Sequence, residues 1–228
     1  MKYLITQDST GNHYDKCECL TRFQRIVNLT KANIPQNFQT LSVSSMDESF
    51  IKQNQESLNT FTSYMNDLDN NLLIGTGLFL YGESGCGKTF LGVTLLKRAF
   101  LQDGRDIFFI PTKDLISGVT WTSSVHEEMN DLVRTLVDVD YLMLDNIDDL
   151  TKQSNRESDK TLLYNLIRER YFKGKPFIMS SKTNIEDLKY NLSESDNIEQ
   201  DIYGILDERM IECHLVGDYR KVMKNGRI

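Results

Sequence analysis

The chain has 228 residues, enough for one α/β domain with a short appendage. With 39% hydrophobic and 26% charged residues it should fold and stay in solution, and no apolar run reaches the length of a membrane span. A net charge of −7 argues against non-specific nucleic-acid binding, so any DNA contact must come from a local patch or within a complex.

Residues 1–45 are polar, and the opening Met1-Lys2-Tyr3-Leu4-Ile5 turns polar at once, so no signal peptide is expected. Residues 47–72 carry Ile51, Leu58, Phe61, Met65, Leu68 and Leu72, spacings of three, four and seven that predict one amphipathic helix. An apolar strand is expected at 77–81. It runs into Gly82-Glu83-Ser84-Gly85-Cys86-Gly87-Lys88-Thr89, which fits G-x-x-x-x-G-K-[ST], and a helical pattern follows at 88–102. Strand, glycine loop and helix are the context a phosphate-binding P-loop requires. The glycines let successive backbone N–H groups face phosphate oxygens, and the helix N-terminus adds positive charge. Lys88 would reach the β- and γ-phosphates of ATP, and the Thr89 hydroxyl would ligate Mg²⁺. With such a site present, Cys17, Cys19, Cys86 and Cys213 read as reduced thiols of a cytoplasmic protein.

Further strands are expected at 106–110, 140–145, 176–181 and 211–216, separated by helices near 111–118, 124–137, 156–173 and 184–191. The alternation predicts an α/β fold, a five-stranded parallel sheet flanked by helices. Tyr141-Leu142-Met143-Leu144-Asp145 is a strand ending in an acid, a Walker B pattern whose Asp145 would hold Mg²⁺. Residues 106–137 leave room for a strand and helices between the two motifs, which favours the P-loop ATPases with an extra strand. In that subclass a second acid usually follows the first, and here Asn146 stands in its place. An amide cannot take a proton from water, and general-base catalysis is worth roughly 10²–10⁴-fold, so slow hydrolysis is expected. Asp148 or Asp149 either substitutes for the missing acid or belongs to a solvated loop. Ser193–Asn197 reads as a surface loop.

The order of these motifs resembles the AAA+ replicative helicase loaders of the DnaC/DnaI type and their transposition relative IstB. The resemblance is carried by Cys17-Glu18-Cys19-Leu20, by Ala32-Asn33-Ile34-Pro35-Gln36-Asn37-Phe38, by the two nucleotide motifs, and by Pro176-Phe177-Ile178-Met179-Ser180-Ser181. Leu206-Asp207-Glu208-Arg209-Met210 and Gly217-Asp218-Tyr219-Arg220 complete it. It implies a P-loop AAA+ ATPase core with little or no lid domain, divided as a helicase-docking extension at 1–45 and the core at 46–228. The implied cofactors are ATP and Mg²⁺. The implied partners are a hexameric replicative helicase, single-stranded DNA held weakly, and further copies through the ATP sites, with no membrane.

Three departures accompany the resemblance. Lys182 stands where the family commonly has the sensor 1 asparagine. The second arginine of the box aligns with Cys213, leaving Arg209 as a trans-acting finger or as a surface ion pair with Glu208 or Asp207. The missing Cys-x-x-Cys pair leaves His13, Cys17 and Cys19, one ligand short of a closed zinc site, so no zinc is expected. Positions 146, 182 and 213 departing together predict an ATP-binding switch that turns over slowly, and the small size and missing zinc half suggest a phage or mobile-element version. Cys86 reads as a thiol activated by the helix N-terminus or as an inert spacer. Phe50 and Trp121 read as core or interface residues. Arg220, Lys221, Lys224 and Arg227 form a basic tail, touching DNA or solvated. An IstB-type transposition protein and a catalytically dead module that sequesters host helicase are the alternatives.

Overall fold

The computed structural model describes residues 3–8, 11–16, 18–41, 46–121, 126–149, 157–192 and 198–220. Its core is a five-stranded, all-parallel sheet made of β3 (Gly77–Tyr81), β4 (Ile107–Pro111), β5 (Tyr141–Asp145), β6 (Phe177–Ser181) and β7 (Met210–His214). The order across the sheet is β4-β5-β6-β3-β7. The β5 and β6 runs are buried throughout, as expected of strands covered on both faces. The strand expected within 106–137 is β4, which lies at the rim beside β5, while β6 pairs with β3 on one side and β5 on the other.

Helices cover both faces. One face carries α3 (Glu48–Gln53), α4 (Gln55–Asn66), α5 (Leu68–Ile74) and α6 (Lys88–Asp103). Their buried side chains, among them Phe50, Phe61, Leu91 and Leu95, join Leu78, Leu80 and Met143 of the sheet. The other face carries α7 (Thr112–Trp121), α8 (His126–Asp138), α9 (Glu157–Phe172), α10 (Ile185–Leu192) and α11 (Ile198–Arg209). There Leu115, Leu136, Ile167, Leu188 and Leu206 close over Phe79, Leu144 and Met179.

The single helix expected over 47–72 is three helices. Asn54 ends α3 because its side chain is used elsewhere. Its Nδ2 donates to the Val216 carbonyl at 3.1 Å and its Oδ1 accepts from the Val216 N–H at 2.8 Å. This two-way bridge ties the helical layer to the chain leaving β7. Asp67 marks the second break, and Gly75, at φ 72°, closes α5 with its N–H on the Asn71 carbonyl.

The N-terminal region holds elements that the sequence reading left without structure. β1 (Tyr3–Asp8) and β2 (Gly11–Lys16) form an antiparallel hairpin, and α1 (Glu18–Lys31) follows. Leu29, Ala32 and Ile34 are buried in the core, so among residues of described burial the packing reaches back at least to residue 29. Sheet pairing explains this. The Phe109 N–H donates to the Ala32 carbonyl at 3.0 Å, and Asn33 Nδ2 donates to the Phe109 carbonyl at 2.9 Å. The segment from 32 onward therefore closes the open rim of β4. A four-residue helix, α2 (Gln36–Gln39), comes next, and Lys97 Nζ of α6 donates to the Phe38 carbonyl at 2.9 Å and to that of Leu41.

Candidate functional site

The glycine loop leaves β3 at Gly82 and enters α6 at Lys88. Two glycines are required by geometry. Gly82 sits at φ 140°, and a Cβ there would lie 2.0 Å from the Leu215 carbonyl oxygen. Gly85, at φ 94°, lies beneath the Arg220 guanidinium, where a Cβ would come within 2.5 Å. Lys88 is buried and folds back on its own loop, Nζ donating to the Gly82 carbonyl at 2.6 Å and the Glu83 carbonyl at 3.0 Å.

Asp145 ends β5 facing that loop. Its carboxylate accepts from the Thr89 hydroxyl at 3.0 and 3.1 Å and from the Ser180 hydroxyl at 2.5 Å. Burial pushes its pKa above the ordinary aspartate value, opposed by those two hydroxyls and by Lys88. Ser180 reads in the sequence only as part of a strand, with no role of its own. It orients Asp145, accepts the Asn146 N–H at 2.8 Å, and receives the Ile147 N–H on its carbonyl at 2.8 Å. No signal in the chain order marks it, because its partners lie on the neighbouring strand.

Asn146 adopts φ 56°, a left-handed conformation that asparagine tolerates better than most residues. The Asp149 N–H then closes a turn onto the Asn146 carbonyl at 3.0 Å. The turn sends Asp148 inward, not into a solvated loop. Asp148 is 4% exposed, and its Oδ1 accepts the Lys182 N–H at 2.9 Å.

Lys88, Thr89, Asn146 and Lys182 all line one cavity of about 520 Å³. Phe38 and Tyr219 contribute apolar walls to it. The segment after β7 thus reaches the site. The Tyr219 N–H donates to the Gly85 carbonyl at 2.8 Å, its ring stacks on Phe90 at 5.3 Å, and Arg220 Nη2 donates to the Ser84 carbonyl at 3.1 Å. Arg220 thus braces the loop with a side chain that stays largely exposed, while Lys221, Lys224 and Arg227 lie outside the described residues. Phe50 is core, packed edge-on against Tyr219. Cys86 is fully buried, and burial pushes its thiol pKa up despite Lys88 at 3.6 Å. The activated-thiol reading is therefore set aside for the spacer.

The two positions matched to the arginine box lie away from this cavity. Arg209 lies at the far end of the sheet, where the strands begin. It donates to the Ile74 carbonyl, pairs with Glu208 at 3.1 Å, and stacks 5.0 Å above the Tyr171 ring. Cys213 is buried within β7, and its thiol is pushed up to about 12 by burial. The side chains of His13, Cys17, Cys19 and Trp121 lie outside the described residues. Among the described residues no cluster of three His, Cys, Asp or Glu could hold a metal, and no helix is long and apolar enough to cross a membrane.

One family, described as "IstB-like ATP binding protein", matches residues 20–221. No curated protein matches the chain. Among solved structures, the chain is similar to the DnaC helicase loader, with TM-score 0.66 and 20% identity over 80% of this chain and 100% of that one. Its similarity to DnaI has TM-score 0.65 and 16% identity over 80% of this chain and 95% of that one. A DNA replication initiation factor matches with TM-score 0.58 and 18% identity over 76% of this chain, which spans 50% of that protein's length. At these identities the likeness establishes the fold, a P-loop AAA+ ATPase core.

Proposed function

Since the chain belongs to the IstB-like ATP-binding protein family, we propose that it is a nucleotide-gated loader that delivers a hexameric replicative helicase onto single-stranded DNA in the cytoplasm. The likeness to the whole length of the DnaC helicase loader carries this reading. ATP would lie in the 520 Å³ cavity with its phosphates in the 82–89 loop. Lys88 would exchange its loop carbonyls for the β- and γ-phosphates.

Thr89 and Asp145 offer oxygen donors side by side, which suits Mg²⁺ held by one carboxylate, one hydroxyl and the phosphates. When bound, that ion neutralises phosphate charge. Ser180 keeps Asp145 aimed at this point. Arg209 would serve the ATP site of a neighbouring copy, because it lies at the opposite end of the sheet from its own loop. Residues 1–28, which precede the first described core residue, would dock the helicase.

Hydrolysis would be slow. Asn146 lines the cavity without a carboxylate, and Asp148 turns toward Lys182. Because position 146 is left-handed, Asn146→Asp is a better test than a longer acid, for aspartate also tolerates that conformation. Phosphate release in a single turnover should rise by about tenfold or more. Brisk release by the unmodified protein would end the idea of a slow switch.

The family match itself favours a second reading, an IstB-type transposition ATPase acting on duplex DNA. Size-exclusion chromatography with the host replicative helicase separates the two. Co-elution that requires ATP supports the loader, and co-elution indifferent to ATP points to a sequestering module. Failure to bind helicase, together with ATP-dependent binding of duplex DNA, would replace the loader with the transposition protein.

A further inference from the structure

Asn54 is 3% exposed, and both ends of its amide are paired. Nδ2 donates to the Phe50 carbonyl at 3.0 Å and to that of Val216 at 3.1 Å, while Oδ1 accepts the Val216 N–H at 2.8 Å. A buried amide is costly unless its donors and acceptor are met, so this pairing holds Val216 at one place. Asn54 does not itself line the nucleotide cavity.

Val216 is the near end of a short strap. Gly217, at φ 89°, turns the chain, and Asp218 Oδ1 then accepts the Arg220 N–H at 3.1 Å and its Nε at 3.2 Å. The far end grips the glycine loop at two carbonyls, the Tyr219 N–H on Gly85 and Arg220 Nη2 on Ser84. A trans peptide unit points its N–H opposite its carbonyl, so each grip also fixes the N–H that follows. Holding the Ser84 carbonyl sets the Gly85 N–H. Holding the Gly85 carbonyl sets the Cys86 N–H, which closes onto the Glu83 carbonyl at 3.3 Å. Phe50, on the helix that Asn54 ends, packs 5.1 Å from the Tyr219 ring and supports the strap at a second point.

We propose that Asn54 is a positioning residue for the nucleotide site, anchoring residues 216–220 so that the peptide planes of the glycine loop are set before a phosphate chain arrives. The inference rests on the ATP site described above and adds to it a residue outside the cavity. Without the anchor the loop samples peptide orientations that cannot bind, and apparent affinity falls with the fraction that stays competent. The loop holds phosphates common to ATP and ADP, so both share the loss.

The test is a titration of the full-length protein with fluorescent ATP and ADP analogues at fixed Mg²⁺, well below the melting temperature of each variant. Asn54→Ala should weaken both nucleotides about tenfold, through the smaller competent fraction left when the two hydrogen bonds to Val216 are lost. Ser57→Ala is the control. It frees the His214 carbonyl, which is held from the same helical layer but short of the strap. Both affinities should then stay within about twofold. Should Asn54→Ala not fold, Gly217→Ala carries the test, because alanine at φ 89° strains the same strap and removes no hydrogen-bonding side chain. The same loss is expected. Unchanged affinity in the folded strap variant, with only its melting temperature lowered, overturns the proposal. A loss in Ser57→Ala equal to that of the strap variant overturns it too. Failure of the unmodified protein to bind either nucleotide overturns the ATP site instead.

Discussion

Arg170→Ala should lower the stability of the protein by about 3–5 kcal/mol, the range for breaking a buried charge network. For a chain of this size that is a drop in melting temperature on the order of 10 °C. The side chain is fully buried in α9, yet it meets no carboxylate head-on. Its guanidinium instead collects backbone carbonyls. Nη1 donates to Leu136 and Val139 at 2.8 Å and to Val137 at 3.2 Å, and Nη2 donates to Pro176 at 2.6 Å and Asp140 at 3.2 Å. Those carbonyls belong to the end of α8, the entry to β5 and the entry to β6. One planar fork thus fastens three elements, and it lies 5.2 Å over the Phe177 ring. Burial pulls the guanidinium pKa down to about 9, while Asp140 and Asp138 push it back up, so the cation persists at neutral pH. Removing it strands several buried acceptors and leaves a cavity. Arg170→Lys should recover little, because an ammonium cannot span that set of carbonyls. Thermal unfolding followed by circular dichroism decides the matter, and a change below about 1 kcal/mol would show that water replaces the fork.

Lys88→Ala should cost the largest share of nucleotide affinity, about 10- to 100-fold for a charged donor lost from a buried site. The ammonium sits among loop carbonyls beside the cavity, so binding requires only its rotation toward phosphate. The paired variant is Asp145→Asn. It should weaken binding of ATP in the presence of Mg²⁺ more than in its absence, because the amide is a poorer ligand for the ion. Titration of a fluorescent ATP analogue with and without Mg²⁺ checks both. Equal affinity in Lys88→Ala would remove the phosphate site from the 82–89 loop, and equal weakening by Asp145→Asn in both conditions would make Asp145 purely structural.

The five strands of the parallel sheet were legible from their apolar content, and none moved by more than two residues at either end, while the β1–β2 hairpin was not. The P-loop was legible because its glycines are demanded by backbone geometry, as Gly82 and Gly85 illustrate. What escaped was tertiary. Asn54 breaks a well-patterned helix to bridge Val216, a partner 162 positions away. Ser180 aims Asp145 across a strand pair, and Arg220 braces Ser84 from far along the chain. Asp148 looked solvated because its local sequence, Asp-Asp, is that of a loop. Only the left-handed turn at Asn146 sends it inward.

The two rims of the sheet bear on aggregation. At β4, both polar groups of Phe109 are occupied by Ala32 and Asn33. At the end of β7 the Ser57 hydroxyl takes the His214 carbonyl, and just beyond the strand Asn54 takes both polar groups of Val216. A strand from another molecule finds these ladder positions filled at either margin, so β-addition is disfavoured. The flanking segments act as selvedges, so copies of this protein that meet at these positions of the parallel sheet do so through side chains, in a register set by shape and charge instead of by continuous backbone pairing.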